Sequence, residues 1–430
     1  MVDILVGKSL NGLKGMIEIP ADKSISHRAV MFSSLAKGKS LIKNFSSGAD
    51  PHSTLNVFSK LGIEHKFLDE KTLEIFSDGC LKSPSENLDC GNSGTTMRLM
   101  SGILAGQNFN SVLVGDESLS KRPMMRVIEP ISLMGGQIEA QDGHAPLKII
   151  GSKLQGIDYI SKLASAQVKS CVLLAGLFAD GVTSFTEPAI SRNHTELMLK
   201  YLGADLSVEG KKVSVRSSEL FAKEIEICGD ISSAAFFIVA GLIVPNSDII
   251  LKNVGLNPTR AGILEVVRKM GGNVEILDER EVAGEIVGDI QVRYSELKGC
   301  EISGEIIPRL IDELPVIAVL ATQAQGQTIV RDAGDLRNKE ADRITALVCE
   351  LRKIGVEIEE LPDGFVVGGK QQIKGRAEVE VYHDHRLAMS FYVAGLIAEN
   401  EILIKEFQWV DISFPEFLSL FAQIECCENK

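Results

Sequence analysis

Asp89-Cys-Gly-Asn-Ser-Gly-Thr-Thr-Met-Arg98 runs straight into an apolar helical stretch, Leu99–Ala105. Gly91 and Gly94 remove the Cβ atoms that would keep an anionic ligand off the backbone. Asn92 and Ser93 are good N-cap residues. The first-turn N–H groups of a helix have no intrahelical partner, and the helix dipole favours negative charge there. The stretch therefore reads as an anion-binding helix start. It is not a Walker P-loop, because the GxxxxGK[ST] spacing is absent. On its own, a glycine-rich turn capping a buried helix would explain it equally well.

Repetition shifts that balance. A polar cap, an apolar helix with small residues, a turn and a short strand recur about six times. The copies begin at Lys23, Asn92, Ser165, Asp230, Asp312 and Asp384. Starts about 65–80 residues apart suit a whole αβ unit rather than a solenoid repeat. A second repeat lies between them: Lys60-Leu-Gly-Ile, Met134-Gly-Gly-Gln, Tyr201-Leu-Gly-Ala, Met270-Gly-Gly-Asn and Lys353-Ile-Gly-Val. Each reads as a helix end with Gly at C′, followed by a strand.

A chain of 430 residues is long for one core, so two domains are expected. Three units precede a polar break at residues 221–228 and three follow it. Hydrophobic content of 45% with 5% aromatic residues describes a globular protein with an aliphatic core. A net charge of −13 argues against general nucleic-acid binding. The first ten residues carry no apolar h-region, and no apolar run approaches the ~18 residues of a membrane span. A cytoplasmic location follows as the expectation. Eight Cys residues, Cys426 and Cys427 among them, show no metal-ligand spacing and read mostly as small buried hydrophobes.

Candidate chemistry collects at helix starts. Lys23, Ser24 and Arg28 open the first core helix, with Ser24 and Arg28 on one face. Lys121 and Arg122 are loop cations before a helix expected near Pro123. Ser165, Ala166 and Gln167 open the third core helix. Ser191-Arg192-Asn193-His194 precedes another. Asp312 and Glu313 are expected to open the fifth. Lys339-Glu-Ala-Asp-Arg343 reads as a helix start with Lys339 and Arg343 on one face and Glu340 turned about 100° away. Asp384-His-Arg386 opens the sixth. The acidic segment 282–289 reads as a solvated loop.

These motifs, taken in order, resemble the signatures of the 5-enolpyruvylshikimate-3-phosphate synthase family. Lys23-Ser-Ile-Ser-His-Arg28, Gly91–Arg98, Ser165-Ala-Gln167, Lys339–Arg343 and Asp384-His-Arg386 carry the resemblance over nearly the whole chain. The Asp116–Pro123 loop and Ser191-Arg192 are similar to class II bacterial members. The resemblance implies an α/β (α+β) fold, a two-domain inside-out α/β barrel with three βαβαββ units per domain. It implies domains at 21–227 and at 1–20 plus 228–430, with the active site in the cleft between them.

The resemblance also implies the reaction. The enolpyruvyl group of phosphoenolpyruvate passes to the 5-hydroxyl of shikimate 3-phosphate, with no metal or organic cofactor, in a monomer. Ser24, Arg28, Ser165, Ala166, Gln167, Arg192 and Lys339 would hold shikimate 3-phosphate. Lys23, Gly94, Arg122, Gln167, Arg343 and Arg386 would hold phosphoenolpyruvate. Asp312 would act as general base on the 5-hydroxyl, also touching the acceptor. Glu340 and Lys23, the latter also near the acceptor, are candidates for protonating the methylene carbon. Two positions depart from class I members: Ile412 stands where they carry Lys, and Asp335 where they carry Asn. The runner-up is the UDP-N-acetylglucosamine enolpyruvyl transferase family, which shares the fold. Its loop carries a Cys, whereas Glu117 stands at the matching offset here.

Overall fold

The computed structural model describes residues Val2–Glu425. Cys426 and Cys427 lie outside the described residues. Of the other cysteines, Cys90, Cys171 and Cys228 are buried, Cys300 is half-buried, and Cys80 and Cys349 are exposed. The expectation of buried thiols therefore fails at Cys80 and Cys349. Cys349 lies on the outward face of the Arg343–Lys353 helix, and Cys80 in an irregular segment.

The chain forms two compact units. One comprises residues up to Pro20, 228–281 and from Ile286 onward. The other comprises Ala21–Ile227 together with Val282–Glu285.

Five sheets share one strand order. Leu88–Asp89 runs parallel to Ser111–Val114, which pairs antiparallel with His144–Ile150, itself paired with Gln137–Gln141. A helix, Gly94–Ala105, makes the parallel crossover. The same order recurs in the sheets containing Val182–Thr186, Thr328–Val330, Ala36–Lys43 and Asp248–Gly255. The sixth unit is closed differently. Its Ile402–Ile404 strand runs parallel to Ala377–Val379 and antiparallel to Ile4–Val6, in place of a hairpin of its own.

The two most apolar core helices are apolar nearly all round because they are buried on every side. Every residue of Leu314–Ala321 is buried, and in Ile231–Ile243 only Ser233 is not fully so. Small residues let the core helices approach one another. A Cβ on Gly102 would lie 2.1 Å from the Cys171 carbonyl oxygen on the neighbouring helix. The five inter-unit helix ends also behave as expected. Gly62, Gly135, Gly203, Gly271 and Gly355 each take φ between +85° and +99° just after the helix, a left-handed C′ conformation that glycine adopts without steric cost.

Segment 282–289 is not a solvated loop. Val282 ends the Asn273–Val282 strand and Glu285 begins Glu285–Arg293. Glu285 and Asp289 are both buried. Asp289 pairs with Lys252 and accepts from the Asn253 N–H, and Glu285 Oε1 lies 2.6 Å from His194 Nδ1. Acidic composition suggested solvent, but each carboxylate has a specific partner.

Candidate active site

Each core helix starts with a side-chain cap, save one. Asp22, Ser93, Ser165, Asp230 and Asp384 accept backbone N–H bonds from the first turn. Helix starts thus carry polar side chains for local reasons, and the functional candidates sit beside these caps. The exception corrects the expectation for Asp312. The fifth helix begins at Leu314, with Glu313 at the cap position making no side-chain cap bond. The buried Glu313 carboxylate instead accepts from the Ser232 hydroxyl. Asp312 is left facing a group of cations.

Ala21–Ile227 carries one cluster. Lys23 Nζ lies 3.1 Å from Asp50 Oδ2. Arg28 is buried and donates from Nε to Thr195 Oγ1, from Nη1 to the Ser24 carbonyl and from Nη2 to Ser170 Oγ, at 2.7, 2.9 and 2.9 Å. Arg98 Nη1 donates to Gln167 Oε1 at 2.7 Å, while Gln167 Nε2 donates to Thr95 Oγ1 at 3.1 Å. Arg122 Nη2 donates to Asn92 Oδ1 at 2.8 Å. Gly94 lies under both guanidinium groups. A Cβ there would meet Arg98 Nη1 at 2.9 Å and Arg122 Nη1 at 3.4 Å.

Gly91, not Gly94, supplies the left-handed turn, with φ +56°. Asn92 is not the cap; it bridges Arg122 and Asp116. The loop before Arg122 contains a short helix, Glu117–Ser120, and the next helix starts at Met125, two residues after Pro123.

Arg192 lies in the segment before the His194–Tyr201 helix. A buried ion group holds that segment. Lys169 Nζ reaches Glu187 Oε1 (2.8 Å), Glu196 Oε1 (2.7 Å) and the Ser191 carbonyl (3.2 Å). Glu187 accepts from both the Ser191 N–H and its hydroxyl. Ser165 caps the helix that Ala166 and Gln167 open.

The other unit carries the second cluster, centred on Arg343, which is 1% exposed. Its Nε donates to Asp384 Oδ2 at 2.6 Å, Nη1 to Asp312 Oδ1 at 3.2 Å and Nη2 to Glu340 Oε2 at 2.6 Å. Burial alone would lower the Arg343 pKa. Asp384, then Glu340 and Asp312, outweigh it and hold the guanidinium above its usual value. Lys339 Nζ lies 3.3 Å from Asp312 Oδ1 and 3.8 Å from Asp335 Oδ2. Arg386 Nη1 donates to the Asp312 carbonyl at 3.3 Å.

The expected helical register of residues 339–343 is wrong. Lys339 follows a 3-10 turn, Gly334–Asn338, and the helix starts only at Arg343. Asp342 is its cap, accepting from the Ile344 and Thr345 N–H groups. Lys339 and Arg343 meet through Asp312, and Glu340 turns toward Arg343 rather than away. Ile412 ends a separate 3-10 turn, Phe407–Ile412.

Four participants have tertiary contacts that the sequence reading did not assign. Asp50 has no local signal. Arg98 and Asp384 are charged residues opening onto apolar helices, and burial obliges such residues to find partners. His27 is the fourth. Its imidazole is fully buried, and burial, then the Lys23 and Arg28 cations, hold its pKa well below the usual 6.5. The folded protein keeps His27 neutral, whereas the unfolded chain gains a proton near 6.5. Stability is therefore full above that value and falls as pH drops below it, by at most about 1.4 kcal/mol per pH unit from this group. Urea unfolding between pH 7 and 5.5 should show a shallower loss for His27→Asn than for the parent. Equal slopes would mean that His27 is charged in the fold.

The first cluster presents Lys and Arg donors suited to anionic ligands, and the second a carboxylate flanked by cations, suited to proton transfer. The family described as EPSP synthase (3-phosphoshikimate 1-carboxyvinyltransferase) matches residues 8–421. The chain is 49% identical over 421 residues to the 3-phosphoshikimate 1-carboxyvinyltransferase of Geotalea uraniireducens, covering 97% of this chain and 98% of that protein. It is 51% identical over 416 residues to the like-named enzyme of Brevibacillus brevis, covering 96% and 97%. The solved EPSP synthase of Acinetobacter baumannii superposes with a TM-score of 0.87 at 41% identity, covering 98% and 97%. The enolpyruvyl transferase NikO of Streptomyces tendae, at 15% identity and a TM-score of 0.80 over 98% and 97%, shares the fold. Matched over nearly its whole length at such identity, the chain belongs to the EPSP synthase (3-phosphoshikimate 1-carboxyvinyltransferase) family.

Proposed function

We propose that the protein transfers the enolpyruvyl group of phosphoenolpyruvate to the 5-hydroxyl of shikimate 3-phosphate, releasing phosphate on the route to chorismate and the aromatic amino acids. The observation that carries this reading is Asp312, a buried carboxylate held between Lys339 and Arg343. Asp312 takes the proton of the 5-hydroxyl as its oxygen bonds to C2 of phosphoenolpyruvate. Glu340 or Lys23 gives a proton to the methylene carbon in the same step. Loss of that proton then expels phosphate and restores the double bond. Two roles of opposite sense need groups held in different environments. Glu340 sits against Arg343, and Lys23 against Asp50.

Lys23, Gly94, Arg122, Gln167, Arg343 and Arg386 hold phosphoenolpyruvate in this reading. Arg suits that task because its planar fork pairs bidentately with carboxylate and phosphate. Lys23, Ser24, Arg28, Ser165, Ala166, Gln167, Arg192, Asp312 and Lys339 hold the acceptor. Arg28 fixes Ser24, Ser170 and Thr195 around it. The protein works as a cytoplasmic monomer. Among the described residues no helix is long and apolar enough to cross a membrane.

The test supplies phosphoenolpyruvate with shikimate 3-phosphate, with UDP-N-acetylglucosamine, or with no acceptor. Phosphate release and product mass are then measured. Release only with shikimate 3-phosphate is the expected result. Product formed only from UDP-N-acetylglucosamine would move the assignment to the sister family.

Gly94→Ala tests the donor site. Its Cβ must displace the tip of Arg98 and would touch that of Arg122. Gly94 opens a right-handed helix, so its backbone accepts Ala. The KM for phosphoenolpyruvate should rise about tenfold, the equivalent of one disturbed charged hydrogen bond. Acceptor KM and melting temperature should barely change. An unchanged phosphoenolpyruvate KM would remove Gly94 from the pocket.

A further inference from the structure

His27 takes no role in the reaction outlined above, yet it heads a chain of hydroxyl groups. Its Nδ1 lies 2.6 Å from Thr54 Oγ1, and Thr54 Oγ1 lies 2.7 Å from Thr96 Oγ1. Thr96 Oγ1 donates to Ser93 Oγ at 2.8 Å. Ser93 Oγ also accepts the Thr96 N–H and so caps the Gly94–Ala105 helix.

The direction of this chain follows from counting protons. Each hydroxyl donates once. Thr96 spends its proton on Ser93, so Thr54 must donate to Thr96. Thr54 then has none left, so His27 must donate to Thr54 through Nδ1–H. A neutral imidazole has a single ring proton, so Nε2 carries a lone pair. Nε2 is buried with no hydrogen-bonding protein atom near it. An under-used acceptor is less unusual in a protein interior than an orphaned N–H.

A second contact runs in the same register. Lys23, four residues before His27, meets Asp50, four residues before Thr54. Two neighbouring helices, Lys23–Leu35 and Ala49–Lys60, are thus tied at two successive turns. The third helix, Gly94–Ala105, is tied on through Thr96.

We infer that His27 is a positioning residue for the donor-binding helix start. As the Nδ1–H donor at the head of a one-way hydroxyl relay, it fixes Ser93 and sets Gly94 in register with Lys23. The inference rests on the assignment of Lys23 and Gly94 to phosphoenolpyruvate. Neutrality of His27 is required, and the depressed pKa noted above supports it.

Two measurements on the full chain test it. The first is a long-range ¹H–¹⁵N spectrum, with the His27 signal identified by its loss in His27→Asn. The expected signature is a protonated Nδ1 and a bare Nε2 at neutral pH. The Nε2–H tautomer would overturn the relay. The second is kinetic. His27→Leu, which cannot donate, should raise the phosphoenolpyruvate KM about 3- to 10-fold, with acceptor KM within about twofold. His27→Asn carries an amide N–H and should recover most of the loss. An unchanged KM in His27→Leu, or an Asn variant as impaired as Leu, would overturn the positioning role. If His27→Leu does not fold, the parent spectrum and the Asn variant still decide. If the chain turns over phosphoenolpyruvate with neither acceptor, the functional reading falls, while the spectrum still judges the relay.

Discussion

Asp312→Asn is expected to lower turnover by about 10²–10⁴-fold, the usual contribution of a general base, with acceptor binding nearly kept. Asn preserves shape and an oxygen that can still face Lys339 and Arg343, which lie 3.3 and 3.2 Å from Asp312 Oδ1. What disappears is the lone pair basic enough to take the hydroxyl proton. The neighbours stay satisfied, because Arg343 keeps Asp384 and Glu340. A lower melting temperature is therefore not expected to account for the loss. Steady-state kcat and both KM values, with a thermal melt of each protein, measure this. Near-normal turnover in a folded variant would take the base role from Asp312.

Arg343→Met should produce the largest loss of stability. One guanidinium, 1% exposed, is bonded to Asp312, Glu340 and Asp384. Asp384 is itself fully buried. Met fills similar volume but leaves three carboxylates facing one another in a low-dielectric interior. Removing one partner of a buried pair typically costs about 3–5 kcal/mol. Urea unfolding should show that loss, and activity should fall with it. Arg343→Lys should lie between, since a point charge replaces a planar fork that now serves Asp384 through two nitrogens. A Met variant within about 1 kcal/mol of the parent would show that these carboxylates can relax into water.

Both predictions turn on contacts that were partly hidden in the sequence. Helix caps were legible. Ser93, Ser165, Asp230 and Asp384 bond to N–H groups two or three residues ahead. The C′ glycines were legible for the same reason, since their left-handed φ belongs to the helix end alone. Six recurring polar helix starts and five recurring glycines were enough to count the units. The charged motifs at those caps were enough to identify the resemblance. Where two local signals competed, the reading failed. At 339–343 both Lys339 and Asp342 could begin a helix, and Asp342 prevails because its carboxylate accepts two backbone N–H bonds.

The sequence by itself therefore determined the αβ repeat, most of the helix starts and the residue types gathered there, because each depends on neighbours within about four positions. Only the tertiary structure decided which charge meets which. Lys23 pairs with Asp50, 27 residues on; Arg98 with Gln167, 69 residues on; and Arg343 with Asp384, 41 residues on. No periodicity encodes such separations. They arise because a charge carried into the interior must be met by an opposite charge or a hydrogen-bond partner, and the packing of the helices selects the partner within reach.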